Sequence, residues 1–292
     1  MVVPVVTWAL FMLYMLLTRR RLQLHYFRVL WGFILSIWRN KGLLWNLTKK
    51  DLKQRYIGSY LGILWAFIQP TITVGIFWFV FQVGFGSKPV NGVPYIIWLA
   101  SGLIAWFMIS DGISGSVAGL YEYKYLVKHV VFNIRIIPVV KVISVMFVQA
   151  FLIVFTLILS ALMGYYPSVL TFQIVYYLVY SFILMTGVAY FISAAYVFLR
   201  DIAQIVGIAL QLIFWFTPIV WNIETMPEIV KMISQWNPIF YIVRGYRDSF
   251  FNHVPFWSYG FYNIFFWIVA LAILAFSKAF FERCTDHFAD VI

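Results

Sequence analysis

The sequence predicts an all-α polytopic membrane protein: six transmembrane helices, an N-terminal interfacial amphipathic helix, and a re-entrant, broken-helix outer cap before the last span. Two observations lead to this fold class. Hydrophobic residues make up 64% of the chain and charged residues only 11%, a balance that soluble domains do not show. Apolar runs of about 20 residues, long enough to cross a bilayer, recur along the chain. The one cysteine, Cys284, excludes a disulfide framework.

The chain begins with an apolar segment, residues 1–21, that ends in three arginines. Its apolar part of about 17 residues barely reaches across a bilayer. Three interpretations of this segment remain open: a marginal extra span, a surface anchor, or an over-extended start of the sequence. Residues 22–56 are predicted to form a cytoplasmic interfacial region. A helix over Leu22–Asn40 gathers its cationic residues on a narrow arc among aromatic residues, a pattern typical of a helix in the headgroup plane.

The segment Lys41–Arg55 continues this region with five basic residues and one acid, Asp51. A cluster of this kind is attracted to anionic lipid and can also receive a protein partner. The net charge of +11 resides at the ends of the apolar runs. This placement favours membrane lipids over nucleic acid as the partner of the charge.

Residues 57–292 are predicted to form one transmembrane domain, with spans at about Leu61–Val83, Tyr95–Ala118, Ile137–Met163, Phe172–Phe198, Ala203–Trp221 and Phe256–Phe280. An N-terminus inside places 17 Lys and Arg residues on the cytoplasmic side and 4 outside. This asymmetry fixes the orientation by the positive-inside rule. Both termini are therefore expected in the cytoplasm.

The loop between the second and third spans predicts a short amphipathic helix over about Leu120–Arg135. Its apolar residues gather on one side, with Lys124, Lys128 and Arg135 beside them. Simple anchoring charges are the alternative. The next cytoplasmic turn carries Arg200 and Asp201 side by side, which favours a helix cap or local ion pair over a partner contact.

The stretch Phe216–Phe251 lies between two apolar runs but contains three prolines and six charged residues. Proline interrupts helices, and broken backbone at membrane depth requires surrounding protein or water. We therefore expect short re-entrant or interfacial helices that form an outer cap over about residues 222–251. A plain outer loop with one surface helix is the alternative.

Polar residues within the spans are few, and Asp111 is the only acid well inside one. Such a residue usually faces the bundle interior or a cavity. Without a second ionisable group at helical spacing, a structural hydrogen-bonding role is favoured over proton coupling. Gly115 and Gly119 have the small-residue spacing of close helix contacts, a motif that is common by chance.

Motifs for chemistry are missing from the sequence. It contains no phosphate-binding loop, no nucleophile elbow and no H-E-x-x-H pair, and its four histidines are scattered. No cofactor or metal is expected on this chain, and we expect no enzymatic activity. Energy for any transport must come from a partner or an ion gradient.

The order of these elements resembles the ABC-2 type permease family that exports lipid-linked polysaccharides. The matching stretches are Leu47–Pro70, Lys88–Phe107, Phe198–Val206, Asn237–Phe251 and Phe288–Ile292. The stretch Lys88–Phe107 and the sequence GYRDSFF at residues 245–251 are particularly similar to wall teichoic acid export permeases. The O-antigen permeases are close relatives of that group. The first 20 or so residues have no place in this pattern.

This resemblance implies a homodimer in a bacterial cytoplasmic membrane, joined to two copies of a separate ATP-binding subunit that uses ATP and Mg. The two copies would form a channel for a polymer on undecaprenyl diphosphate. The residues implied in coupling to the ATP-binding subunit are Tyr121, Glu122, Tyr123, Lys124, Lys128, Lys49, Lys50 and Arg55. Those implied in the channel or outer cap are Trp221, Tyr241, Arg244, Tyr246, Arg247 and Asp248.

Three hypotheses about function follow. The first is the ATP-driven exporter of a lipid-linked polymer, with wall teichoic acid as the expected cargo and O-antigen as the alternative. The second is an ABC-2 efflux pump for drugs or small lipids. The third is an ion-coupled carrier or membrane enzyme, which would work without an ATP-binding partner and would depend on Asp111.

Overall fold

The computed structural model describes residues 32–33, 35–56, 58–127 and 133–291. Segment 1–21, most of the predicted helix Leu22–Asn40, and Lys128 lie outside the described residues. The described part of the chain consists of helices and the loops that connect them, with an isolated β-bridge between Val90 and Val93. Its α-helices are α1 (Lys41–Tyr56), α2 (Trp65–Trp78), α3 (Tyr95–Val117), α4 (Gly119–Glu122), α5 (Lys124–Val127), α6 (Ile137–Leu162), α7 (Ile174–Phe198), α8 (Ile202–Phe216), α9 (Glu228–Gln235), α10 (Pro238–Arg247) and α11 (Phe261–Val291).

Five helices of the described residues are long and apolar enough to cross a membrane. They are Gly62–Gly84, Tyr95–Val117, Ile134–Leu162, Val169–Phe198 and Phe261–Phe288, which contain α2, α3, α6, α7 and most of α11. The first four coincide with predicted spans within about three residues, and the fifth overlaps the predicted span Phe256–Phe280 but lies further along the chain. The all-helical membrane architecture is therefore confirmed.

The remaining predicted span, Ala203–Trp221, is not a spanning helix in the structure. Helix α8 has 15 residues, a length of about 22 Å against the roughly 30 Å of the hydrocarbon core. It ends at Phe216 because Thr217 precedes Pro218 and adopts extended backbone, with φ −94° and ψ 137°. The chain then continues as buried, non-helical residues 217–220. The count of six spans is therefore not confirmed.

Two hydrophobic clusters hold the bundle together. One unites α3, α6, α7, α8 and α10 and includes Trp98, Tyr177 and Phe250. The other lies at the cytoplasmic end and unites α1, α4, α6, α7 and α11 around Tyr190 and Phe281. Helix α11 packs most extensively against α7. Their backbones approach closely at Gly187, where a Cβ would lie 2.9 Å from the Leu274 nitrogen.

Helix α1 packs on the bundle through one face. Its buried residues Leu44, Leu47, Thr48 and Asp51 follow the spacing of a single helical stripe. The lysines of α1 lie on the exposed remainder of the helix. The helix therefore presents a basic surface while its apolar stripe packs against α6.

The region of the predicted outer cap consists of a 3-10 turn at Ile223–Thr225, α9, α10 and a π-helical turn at Asp248–Asn252. Its prolines lie at helix starts rather than in helix interiors: Pro227 is the N-cap of α9 and Pro238 begins α10. Asn237 caps α10 because its side chain accepts from the Ile239 nitrogen at 2.8 Å. The proline pattern therefore divides this stretch into short helices, as the sequence predicts, while its re-entry into the membrane stays a prediction.

Candidate functional site

A buried ion pair joins α1 to α6 at the cytoplasmic end. The Lys141 ammonium donates to the Asp51 Oδ1 at 2.5 Å, and the side chains are 4% and 1% exposed. Helix α1 places Asp51 on its packed stripe, and Lys141 lies near the start of the third span. Charges taken out of water require partners, because isolation there costs several kcal/mol. The pair therefore defines how α1 sits on the bundle.

Three further side chains complete this inner charge cluster, which consists of Asp51, Arg55, Glu122, Tyr123 and Lys141. Lys141 also donates to Glu122, while the Tyr123 hydroxyl and the Arg55 Nε each lie 3.4 Å from an oxygen of Asp51. Burial and the neighbouring Asp51 carboxylate raise the pKa of Tyr123, so its hydroxyl keeps the proton it donates. The cluster ties α1, α4 and α6 together.

The two glycines of the small-residue motif make room for this cluster. A Cβ on Gly115 would lie 2.9 Å from the guanidinium of Arg55, and one on Gly119 would lie 3.4 Å from the Lys141 stem. Here the motif admits two cationic side chains. The motif was expected to allow the backbones of two helices to approach closely. At Gly115 and Gly119 the nearest atoms belong instead to the side chains of Arg55 and Lys141.

A second contact holds the α4 segment from the other side. The Arg200 guanidinium, in the turn between α7 and α8, lies 4.6 Å from the centre of the Tyr121 ring. Tyr121 also meets Tyr196 of α7 edge to face at 5.6 Å. The turn with Arg200 and Asp201 is thus fixed to α4 through a cation–π contact. Asp201 occupies the predicted cap position at the start of α8 but makes no side-chain capping bond there.

The remaining residues implied in coupling form an exposed rim around the inner charge cluster. Lys49, Lys50 and Lys124 are exposed, as is Tyr125. The Lys50 ammonium contacts the Tyr125 hydroxyl and lies 4.8 Å from the centre of its ring. α1 and α5 therefore share one basic surface. Lys128 lies outside the described residues.

Sequence reasoning brought together Arg55, Glu122 and Tyr123 but missed Asp51, Lys141 and Arg200 as members of this site. One signal was available for Asp51, the only acid in a basic run. A second signal was Lys141, a charged residue close to the start of an apolar span. Their pairing across 90 positions was not readable from spacing.

In the outer cap, Arg247 is buried and binds backbone. Its guanidinium donates to the carbonyl oxygens of Pro218 at 2.8 Å and Ile219 at 2.7 Å and lies 3.6 Å from the centre of the Trp98 ring. Buried non-helical backbone needs such partners. Arg247 forms no salt bridge with Asp248 or Glu224 within the described residues. Arg247 instead stabilises the break that follows α8.

Asp248 and Arg244 meet at Tyr259. The buried Asp248 carboxylate accepts from the Tyr259 hydroxyl at 2.5 Å and from the Asn252 amide at 2.9 Å. The exposed Arg244 guanidinium lies 4.2 Å from the centre of the Tyr259 ring. Burial raises the pKa of Asp248, and the two hydrogen bonds counteract part of that effect.

The aromatic residues predicted for the channel or cap lie mostly in the packed interior. Tyr241 donates to Asn263 at 2.7 Å and stacks on Phe266 at 4.4 Å. Tyr246 is fully buried and lies 3.1 Å from the Gln149 amide. Trp221 is half-buried and donates to the Trp215 carbonyl at 3.0 Å. Tyr246 therefore anchors α10 within the interior, and Tyr241 anchors α10 while also lining a small cavity.

An open cavity of about 690 Å³ lies between α9, α10 and the loops at this end. A smaller one of about 270 Å³ adjoins it, and the two share Gln235, Phe240, Arg244 and Tyr259. Among the described residues no group of His, Cys, Asp and Glu is placed to hold a metal ion. The arrangement offers hydrogen-bond donors and acceptors without a catalytic constellation.

Comparison with known proteins identifies the type of molecule. The family model for the ABC-2 type transporter matches residues 42–251. An O-antigen export system permease protein RfbA of Myxococcus xanthus is 26% identical over 75% of this chain and 84% of its own length. Two proteins of that name from Klebsiella pneumoniae are 26% identical over 87% of this chain and 97% of their own length.

The match of the family model extends from α1 through the π-helical turn that follows α10, so it includes both the inner charge cluster and the outer cap. The chain is a transmembrane permease subunit with several membrane-spanning helices, as expected for a bacterial inner-membrane protein. ATP hydrolysis lies in a separate subunit. The chain belongs to the ABC-2 type transporter family.

Proposed function

We propose that this chain is the membrane subunit of an ATP-driven exporter that moves a lipid-linked polysaccharide across the cytoplasmic membrane. The observation that carries the proposal is the agreement along nearly the whole length of relatives named as O-antigen export permeases. The cytoplasmic end supplies a surface suited to a partner subunit, and the span arrangement supplies a face suited to a conduit.

The partner surface is the exposed rim that includes Lys49, Lys50 and Lys124. It overlies the inner charge cluster, which links α4 to α1 and α6 through the buried Lys141 ammonium and the buried Asp51 carboxylate. A push on α4 from an ATP-binding subunit is therefore transmitted to the third span and to α1 at once. Stiff, satisfied ionic contacts suit such transmission because their geometry has few alternatives.

The conduit is proposed to form between two copies of the chain. In the most apolar 18-residue stretch of Gly62–Gly84, only 6% of the residues are buried inside the protein, against 78% in the corresponding stretch of Tyr95–Val117. Helix α3 is packed on nearly all sides, and its exposed strip carries Asp111 and Ser114. Polar side chains within a membrane span face protein or water rather than lipid. A second copy facing this strip would enclose a polar path.

In this proposal, Asp111 forms part of the wall of the polar path between the two copies of the chain. Its carboxylate makes no hydrogen bond within the part of the chain that the structure describes, so the structural hydrogen-bonding role expected from sequence has no support here. An exposed carboxylate beside a hydroxyl suits contact with sugar hydroxyl groups. It does not require proton coupling.

The relatives favour O-antigen over teichoic acid as the polymer class, since the three relatives described above all bear the O-antigen name. The resemblance of Lys88–Phe107 to teichoic acid permeases suggested the other polymer. We therefore propose an O-antigen type polysaccharide on an undecaprenyl diphosphate carrier, moved by a homodimer with two ATP-binding subunits.

The test is complementation in cells. The chain and an O-antigen ATP-binding subunit are expressed in bacteria that lack their own permease and synthesise O-antigen, and surface polymer is measured. Surface O-antigen is the expected result. A matched strain that synthesises teichoic acid should retain its polymer inside. Export in the second strain alone would reverse the assignment of the polymer, and export in neither strain would contradict the proposed function.

A further inference from the structure

The outer end contains a cleft that the export function does not account for. Its two lobes, of about 690 and 270 Å³, meet where Arg244 lies over the ring of Tyr259. The larger lobe is in the size range of small-molecule sites, roughly 300–1,000 Å³. We call these two lobes and their shared residues the outer cleft.

The wall of the outer cleft is fixed by local structure. Asn91 and Gly92 both have positive φ, 51° and 82°, as a tight turn between Val90 and Val93 requires. The Tyr165 hydroxyl donates to the Gly92 carbonyl at 2.8 Å and ties this turn to the loop before α7. A wall held in this way can meet a ligand without first becoming ordered.

The cations of the outer cleft differ in how far they are already satisfied. Lys231 is paired with Glu224 and Glu228. Arg247 uses two of its nitrogens on backbone carbonyls, but its buried Nε has no hydrogen-bond partner within the described residues. Arg244 is exposed and forms no salt bridge within the described part of the chain. The exposed Arg244 guanidinium thus retains capacity for an anion.

The remaining lining combines acceptors, amides and rings. Asp248 offers carboxylate oxygens, and Asn91, Asn222 and Asn252 offer amides that both donate and accept. Tyr259 and Tyr262 contribute rings with a polar tip. Hydroxyl-rich ligands require this mixture, whereas a purely apolar ligand would leave the amides and charges unpaired.

We propose that the outer cleft binds an anionic saccharide unit, with its acidic group on Arg244 and its hydroxyl groups on Asp248 and the lining amides. The proposal rests on the proposed function only for the source of the saccharide, which would be the emerging polymer. Binding itself requires neither ATP nor a partner subunit.

The test measures binding to the full chain in lipid nanodiscs without an ATP-binding subunit. N-acetylglucosamine 1-phosphate, neutral N-acetylglucosamine and inorganic phosphate are titrated separately by saturation-transfer difference NMR. We expect saturable binding of the sugar phosphate, at least about ten-fold tighter than that of either other probe. R244Q should weaken it about ten-fold. R283Q, which removes an exposed arginine near the C-terminal end of α11, should leave it unchanged.

Each other outcome contradicts the proposal in a recognisable way. Equal affinity for inorganic phosphate would mean that the cleft binds an anion without reading a saccharide. Equal affinity for the neutral sugar, or an unaltered R244Q, would remove Arg244 from the site. No saturable binding in a sample whose thermal unfolding is normal would reject the site altogether. Because export is measured separately in cells, failure here leaves the proposed function standing.

Discussion

Lys141 of the third span and Asp51 of α1 form a buried ion pair at 2.5 Å although 90 positions separate them in the chain. This contact fixes α1, which precedes the first span, to the core of the bundle. Its loss should therefore affect both stability and communication with the cytoplasmic end.

The variant D51N should destabilise the chain by several kcal/mol, because removal of one partner from a buried pair costs about 3–5 kcal/mol. Glu122 still contacts Lys141, so the lower end of that range is expected. Thermal unfolding in detergent measures the effect. D201N, which changes an exposed aspartate, is the matched control and should unfold as the unmodified chain does. The double variant D51N/K141M should recover part of the loss, and equal stability of D51N and D201N would contradict the assignment.

Substitution of Gly245 should be poorly tolerated. A Cβ there would lie 2.2 Å from the Tyr177 ring, and overpacking of this kind costs about 1–3 kcal/mol. G207A places the same methyl group on α8, where nothing lies within 4 Å. We expect a lower unfolding temperature for G245A and no loss for G207A. Equal behaviour of the two variants would show that α10 does not pack on α7 as described.

Arg247 and Arg244 provide a matched pair for the outer cap. R247M should leave the Pro218 and Ile219 carbonyls without their donors, and each unsatisfied buried group costs about 1–3 kcal/mol. R244M changes an exposed side chain and should stay within about 0.5 kcal/mol of the unmodified chain. Hydrogen exchange across residues 217–221 should accelerate in R247M alone. Similar exchange in both variants would argue against a structural role for Arg247.

Reversal of the charge on Lys124 should uncouple the complex. K124E changes the exposed rim without touching the inner charge cluster, so the chain should remain folded and assembled. Stimulation of ATP hydrolysis by the lipid-linked polymer should fall several-fold. K88E, an exposed lysine in the loop between α2 and α3, is the control. Unaltered stimulation in K124E would remove Lys124 from the partner surface.

Much of the fold follows from the sequence because membrane spans depend on local composition. The five spans coincide with apolar runs that no distant contact needs to create. Ala203–Trp221 is not confirmed as a span, because the apolar run continues through residues 217–221 whereas Pro218 ends the helix at Phe216. The prolines at 227 and 238 marked helix starts, so the division of the cap into short helices was readable.

The candidate site was less accessible to sequence reasoning, because its members meet through tertiary packing. Arg200 lies over Tyr121, and Arg247 reaches the Pro218 and Ile219 carbonyls. No periodicity in one helix encodes such pairs. The pattern of spans predicted that Arg247 lies at the outer end. Its burial was not predicted, because it depends on the two backbone carbonyls that lack helical partners after α8 ends. The need for a donor to these carbonyls can be predicted from sequence only when the end of α8 at Phe216 is predicted correctly.

The most direct test of the account is transport in proteoliposomes that contain this chain with or without an ATP-binding subunit. Movement of a lipid-linked O-antigen polysaccharide across the bilayer is measured with and without ATP. The account predicts transport only when both subunits and ATP are present, and no ATP hydrolysis by this chain alone. Transport of the polymer by the chain without its partner would contradict it.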